Sequence, residues 1–146
     1  MKTLQRLLPA ACLLFSVYLV RAQAKQAPAQ VNQSFAKMFP EAQNVDWENK
    51  SDHFTVFFTL AGRKCEAKFA PGGDWLNTQM PMPLDSLPRP LVDSLKGGKY
   101  SDWTANSAYV FRFAKEPTQY HVVITKSDQG RKILIYSPEG HLLATR

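Results

Sequence analysis

The sequence predicts an α+β fold, a tandem repeat of one helix followed by an antiparallel β-meander, with the helices packed on one face of the sheet. Three observations carry this expectation. First, one pattern occurs twice: Pro71-Gly72-Gly73-Asp74-Trp75-Leu76-Asn77-Thr78 and Pro138-Glu139-Gly140-His141-Leu142-Leu143-Ala144-Thr145 both read P-x-G-x-x-L-x-T, at an offset of 67 positions. A Pro/Gly turn between short apolar strands is hairpin chemistry, because glycine tolerates the positive φ of a tight reversal. Its recurrence points to an internal repeat. Second, each copy follows a strand-like run ending in an aromatic residue, Phe69 or Tyr136. Third, each set of strand-like runs is preceded by a stretch with helical spacing.

The chain opens on a leader. Lys2 and Arg6 precede an apolar run over 7–20, and Ala22-Gln23-Ala24 supplies the small residues of an A-x-A cleavage site. This is the pattern of a secretory signal peptide, 1–24. The run is shorter than the ~20 apolar residues of a spanning helix, so no membrane association is expected after cleavage. Ala10-Ala11-Cys12 partly matches a lipobox. Pro9 stands where an aliphatic residue is expected and most of the apolar run lies beyond Cys12, which favours cleavage after Ala24 over a lipid anchor.

In the mature chain, Val31, Phe35, Met38 and Phe39 fall on one face of a helix over 29–39, which Pro40 ends. A short strand with Trp47 follows over 45–48, then an alternating run over 53–60. Ala61-Gly62 makes a turn. In the next run Lys64, Glu66 and Lys68 point one way and Cys65, Ala67 and Phe69 the other, a half-buried antiparallel strand. The hairpin and a strand over 75–79 complete the first unit, 25–80. Pro81, Pro83, Pro88 and Pro90 argue against a regular strand and mark a Pro-rich connection, 81–87. The second unit, 88–146, opens on a helix capped by Asp85 or Ser86, with Leu87, Leu91, Val92 and Leu95 as its apolar face and Gly97-Gly98 as its stop. Strands over 108–114, 119–125, 131–136 and 142–145 follow. The two units together make one compact body.

Helix ending in Phe39-Pro40, then Val45-Asp46-Trp47, an alternating strand, and F-x-x-x-G-x-W from Phe69 to Trp75: this order resembles the PepSY-like, β-lactamase-inhibitor-protein-like family of secreted bacterial (Bacteroidetes-type) proteins. Leu87-Pro88, Tyr120 and Tyr136-x-x-x-Gly140 continue the resemblance over about 31–145. It implies a periplasmic or secreted α+β protein, often in tandem, with no enzyme activity and no cofactor. The named relatives bind and inhibit enzymes through the open face of the sheet and its loops. The longer connection over 101–106, with Trp103 in it, departs from the family pattern.

Composition and motifs narrow the chemistry. Removing Lys2, Arg6 and Arg21 lowers the net charge from +6 to +3, spread without a cluster, which argues against a nucleic-acid partner. Cys65 is the one cysteine outside the leader, so no intramolecular disulfide is expected after cleavage, and its neighbours mark it as a buried thiol rather than a nucleophile served by His53. His53, His121 and His141 lack metal-ligand spacing. Asp46, Glu48, Asp52 and Asp74 do not form a calcium loop, and neither a phosphate loop nor a G-x-S-x-G elbow occurs. No enzyme, cofactor or metal is expected.

The expected function is a non-catalytic module that binds an envelope or secreted protein, as an inhibitor or regulator of an envelope hydrolase. The alternatives are a structural or assembly role in the envelope and, third, a small-molecule or metal sensor. Carried by the 67-residue offset, Glu66 and Lys68 land on Ile133 and Ile135, Thr55 and Phe57 on Val122 and Ile124, and His53 on Tyr120. The expected partner face is therefore Tyr120, Val122, Ile124, Ile133 and Ile135, with Trp103 as a loop anchor. A one-residue slip in the pairing would exchange the two sides of a strand.

Overall fold

The computed structural model describes residues 26–127 and 129–146; the expected leader, 1–24 with Cys12, lies outside the described residues. Helix α1, Ala29–Met38, is followed by strands β1 (Gln43–Asn49), β2 (Phe54–Leu60), β3 (Arg63–Phe69) and β4 (Trp75–Met82). A 3-10 turn, Leu84–Ser86, leads into α2 (Arg89–Gly97) and then β5 (Thr104–Phe113), β6 (Gln119–Lys126), β7 (Gly130–Tyr136) and β8 (Leu142–Thr145).

The eight strands form one antiparallel sheet in the order of the sequence. This corrects the tandem expectation. The molecule is a single, mostly β, eight-stranded sheet with two helices on it, rather than two helix-plus-meander units. The join is β4 with β5, paired from Asn77↔Phe113 to Met82↔Ala108. Pro81 lies inside that pairing although the prolines argued for a connection. It is tolerated because β3 stops pairing with β4 at Glu66↔Gln79, so the N–H that proline lacks has no acceptor strand to miss. The 81–87 connection therefore loses Pro81 and Met82 to β4, and β5 starts at Thr104, well before 108.

Both helices cover the same face. Val31 and Phe35 of α1 pack on Phe54, Val56, Phe58, Cys65, Ala67 and Phe69. Leu91 of α2 packs on Ala108, Val122, Ile124, Leu134 and Tyr136. Cross-strand pairs carry that face through the join, from Ala67↔Thr78 to Thr78↔Arg112 and Met80↔Val110. Buried Thr78 accepts a hydrogen bond at 2.8 Å from the indole N–H of Trp75, so no polar atom is stranded there. The helix starts differ from expectation. Asp85 falls in the 3-10 turn with Ser86, and α2 begins after Pro88 with Pro90 in its first turn, without a side-chain cap.

Candidate functional site

With the helices on one side, the other face of the sheet is open, and its two halves differ in chemistry. Over β1–β4 it is polar. One cross-strand row runs Glu48, Thr55, Lys68, Asn77, and another Asp46, Phe57, Glu66, Gln79. Glu66 takes an ion pair from Lys68 at 3.5 Å, and Phe57 is the exposed aromatic of this half, at 38%.

Over β5–β7 the same face is apolar. Tyr109, Phe111 and Phe113 alternate along β5. Tyr109 stands opposite His121, which stands opposite Ile135; the next row is Val123 with Ile133. Phe111 lies parallel to Phe113 at 6.2 Å and to the imidazole of His121 at 3.9 Å. Val123 and Ile135 are already covered by their neighbours, whereas Tyr109, Phe111, Phe113 and Ile133 remain half-buried. Arg131 and Arg146 lie at the β7–β8 rim of the patch.

The residues singled out from sequence divide between the faces. Ile133 and Ile135 lie on the open face. Val122 and Ile124 are fully buried beneath α2, and Tyr120 packs against the same cluster. Trp103 also packs there, edge-on to Tyr100 at 5.7 Å and with Lys132 Nζ 5.5 Å over its ring, so it does not join the open face. The five strand residues therefore do not share one surface.

The reason is one residue. The β2–β3 hairpin closes Leu60 on Arg63 across two residues, whereas β6–β7 closes Lys126 on Gly130 across three. The extra residue changes the offset from 67 for β7 to 66 for β6, so Phe57 corresponds to Val123 and Thr55 to His121. A slip of one exchanges the two sides of a strand. The period-2 aromatics Tyr109, Phe111 and Phe113 were the signal available in the sequence for the residues it missed.

His121 connects this face to pH. Burial among its apolar neighbours, with a smaller contribution from Arg146, holds its pKa below the ordinary histidine value. The unfolded chain therefore takes up that proton at higher pH than the folded one. Stability is retained above about pH 6.5 and falls as pH drops below that value towards the folded pKa. Urea midpoints at about pH 7 and 5.5 should show this loss, and His121→Gln should reduce the difference between them.

Other candidate chemistry stays apart. Cys65 is buried, opposite Phe58, and burial raises its pKa; His53 precedes Phe54 at the far end of β2 and bonds Asp52 at 2.6 Å. Five strand positions, about 16 Å, separate the two sites. Among the described residues there is no group of three His, Cys, Asp or Glu able to hold a metal ion, and no helix long and apolar enough to cross a membrane.

No protein-family model matches the sequence, and no curated protein matches it. Solved structures share the fold. A DUF2874 family protein from Bacteroides ovatus superposes with a TM-score of 0.76 at 25% identity, covering 83% of this chain and 87% of that one. A BLIP-like protein from Bacteroides fragilis gives 0.74 at 21%, over 83% and 86%. A candidate periplasmic protein from Bacteroides eggerthii gives 0.76 at 20%, over 83% and 88%. The structural neighbours of this chain are thus DUF2874 family and BLIP-like proteins of Bacteroides.

Proposed function

We propose that the protein is a secreted or periplasmic, non-catalytic binding module that docks another envelope or secreted protein on the open face of β5–β7. The observation that carries this reading is the asymmetry of that face, charged over β1–β4 and aromatic over β5–β7. Aromatic and arginine side chains are the types enriched where protein interfaces concentrate their energy. The leader supports export, and the fold shared with a BLIP-like protein and with a candidate periplasmic protein supports the same class of role. The PepSY-like, inhibitor-like motifs extend the reading to inhibition or regulation of an envelope hydrolase; a purely structural role in the envelope is the alternative.

Docking of ~400 Å² of apolar surface at ~25 cal/mol per Å² gives ~10 kcal/mol gross, against association costs of ~4–15 kcal/mol. The patch alone therefore supports modest affinity, and Arg131 and Arg146 at the rim would add orientation and on-rate.

The test is recovery of partners from envelope extract on the immobilised protein, compared with the double variant Tyr109→Lys and Ile133→Lys. A hydrolase recovered stoichiometrically and inhibited by the wild type, but lost from a variant with an unchanged melting temperature, is the expected result. Equal recovery on both proteins would overturn the face assignment. Recovery of an envelope scaffold protein with no change in hydrolase activity would favour the structural alternative. Val122→Lys, by contrast, should unfold the protein, since it places a charge in the core beneath α2.

A further inference from the structure

We infer that the outer edge of β8 is an interface between two copies of this chain, paired antiparallel across a two-fold axis into one continuous sheet. The two P-x-G-x-x-L-x-T hairpins supply the argument. Ala70 N–H donates to Asp74 O at 2.8 Å and Ser137 N–H to His141 O at 2.9 Å; Gly73 N–H donates to Ala70 O and Gly140 N–H to Ser137 O. Phe69↔Trp75 and Tyr136↔Leu142 are the matching pairs beside each turn, each followed by a shift in register. β4 and β8 are therefore equivalent strands leaving equivalent turns.

Their outer sides differ. In β4 the carbonyl of Leu76 accepts from Ala114 N–H at 2.9 Å, and β5 covers the rest of that edge. The counterparts of Leu76 and Thr78 in β8 are Leu143 and Thr145. Arg146 exchanges both backbone hydrogen bonds with Ile133, at 2.7 and 2.9 Å, so the alternate residue Thr145 directs its N–H and C=O away from β7. Leu143 is the extra residue of the register shift, in the place where Leu76 of β4 turns its carbonyl outward. Among the described residues no strand pairs with that side. Leu142 and Leu143 are exposed, at 45% and 54%.

The opposite edge of the sheet is protected. β1 carries a bulge between Gln43 and Asp46, has Asn44 at a φ of 52°, and presents Asp46 and Glu48, with Lys50 bound to Glu48. β8 has a register shift of its own, so it is the charges of β1 that set the two edges apart, and charges discourage edge pairing. A head-to-tail join of β8 to β1 is thus resisted, and the self-complementary join of β8 to β8 remains. With Ala144 on the axis, Leu143 of each copy stands opposite Thr145 of the other, and two backbone hydrogen bonds form, each from Thr145 N–H to the Leu143 carbonyl across the axis. So short a strand makes a small interface, at the weak end of the size range, with a dissociation constant of roughly micromolar order.

Sedimentation velocity of the purified protein over about 1–500 µM should show mass rising towards the dimer, with the Thr145 amide gaining exchange protection as it forms. Thr145→Pro should stay monomeric at an unchanged melting temperature, because that N–H is directed away from β7. Should the proline variant unfold, Leu143→Lys decides in its place. A wild type that stays monomeric over the whole range, or Thr145→Pro and Leu143→Lys variants that dimerise as the wild type does, would overturn the proposal. Ile133→Lys should leave the dimer intact; its loss there would mean that copies meet through the open face and not the edge.

Discussion

Phe35→Ala is expected to lower the stability of the fold by about 3–5 kcal/mol, a large part of the ~5–15 kcal/mol that holds a domain of this size together. Phe35 is the residue on which the α1 side of the core converges. Its ring meets Phe58 at 5.1 Å, Trp47 at 5.4 Å and Phe69 at 6.2 Å edge-on, and Phe39 at 5.6 Å tilted. It is 6% exposed. Truncation removes the apolar area and leaves a void between a helix and a hydrogen-bonded sheet, which has little freedom to collapse into it. Denaturant titration measures the effect. Phe35→Leu, which keeps most of the volume, should cost clearly less. Equal losses for the two variants would show that the void contributes little.

Gly140→Ala should cost about 2–4 kcal/mol, and a series of glycines separates its causes. Gly140 sits at a φ of 84°, which costs an ordinary residue about 1–2 kcal/mol. It also lies against α2. A Cβ there would come within 2.5 Å of the Pro90 carbonyl oxygen and 3.0 Å of Ser94 Oγ, and Ser94 donates a 2.7 Å hydrogen bond to the Gly140 carbonyl. Alanine must push the turn off the helix and strain that bond. Gly62→Ala meets the same backbone penalty, at a φ of 75°, but open space around the new methyl, so its cost should stop at about 1–2 kcal/mol. Gly97→Ala, at the end of α2 in open space, should stabilise by up to about 1 kcal/mol. If Gly62→Ala and Gly140→Ala cost the same, the close approach to α2 contributes nothing.

Local pattern made much of this fold legible. Val31 and Phe35 announced the buried stripe of α1, and the alternation of Lys64, Glu66 and Lys68 with Cys65, Ala67 and Phe69 assigned both faces of β3 correctly. What stayed hidden depended on pairs of distant residues. Nothing local to Pro81 says that β3 has already stopped pairing beside it, yet that is what lets β4 run on and join β5. The candidate face was half legible for a related reason. Ile133 and Ile135 follow from the hairpin repeat, whereas Tyr120, Val122 and Ile124 were assigned through a loop longer by one residue than its counterpart. Strand patterns report alternation; which of the two sides meets a helix is decided by loop length and register.

The strict sequence order of the sheet has a kinetic consequence. Each strand pairs only with its predecessor and successor, so the widest gap to be closed between partners is the segment from Met82 to Thr104, which contains α2. Loop-closure entropy grows slowly with length, and topologies dominated by neighbouring contacts fold faster than those that pair remote strands. A chain delivered from its N-terminus can lay down β2 on β1, β3 on β2, and so on, each arriving segment finding a template already formed. No strand has to be held in reserve for a partner synthesised much later, which limits the time apolar segments such as 54–60 and 119–126 spend unpaired.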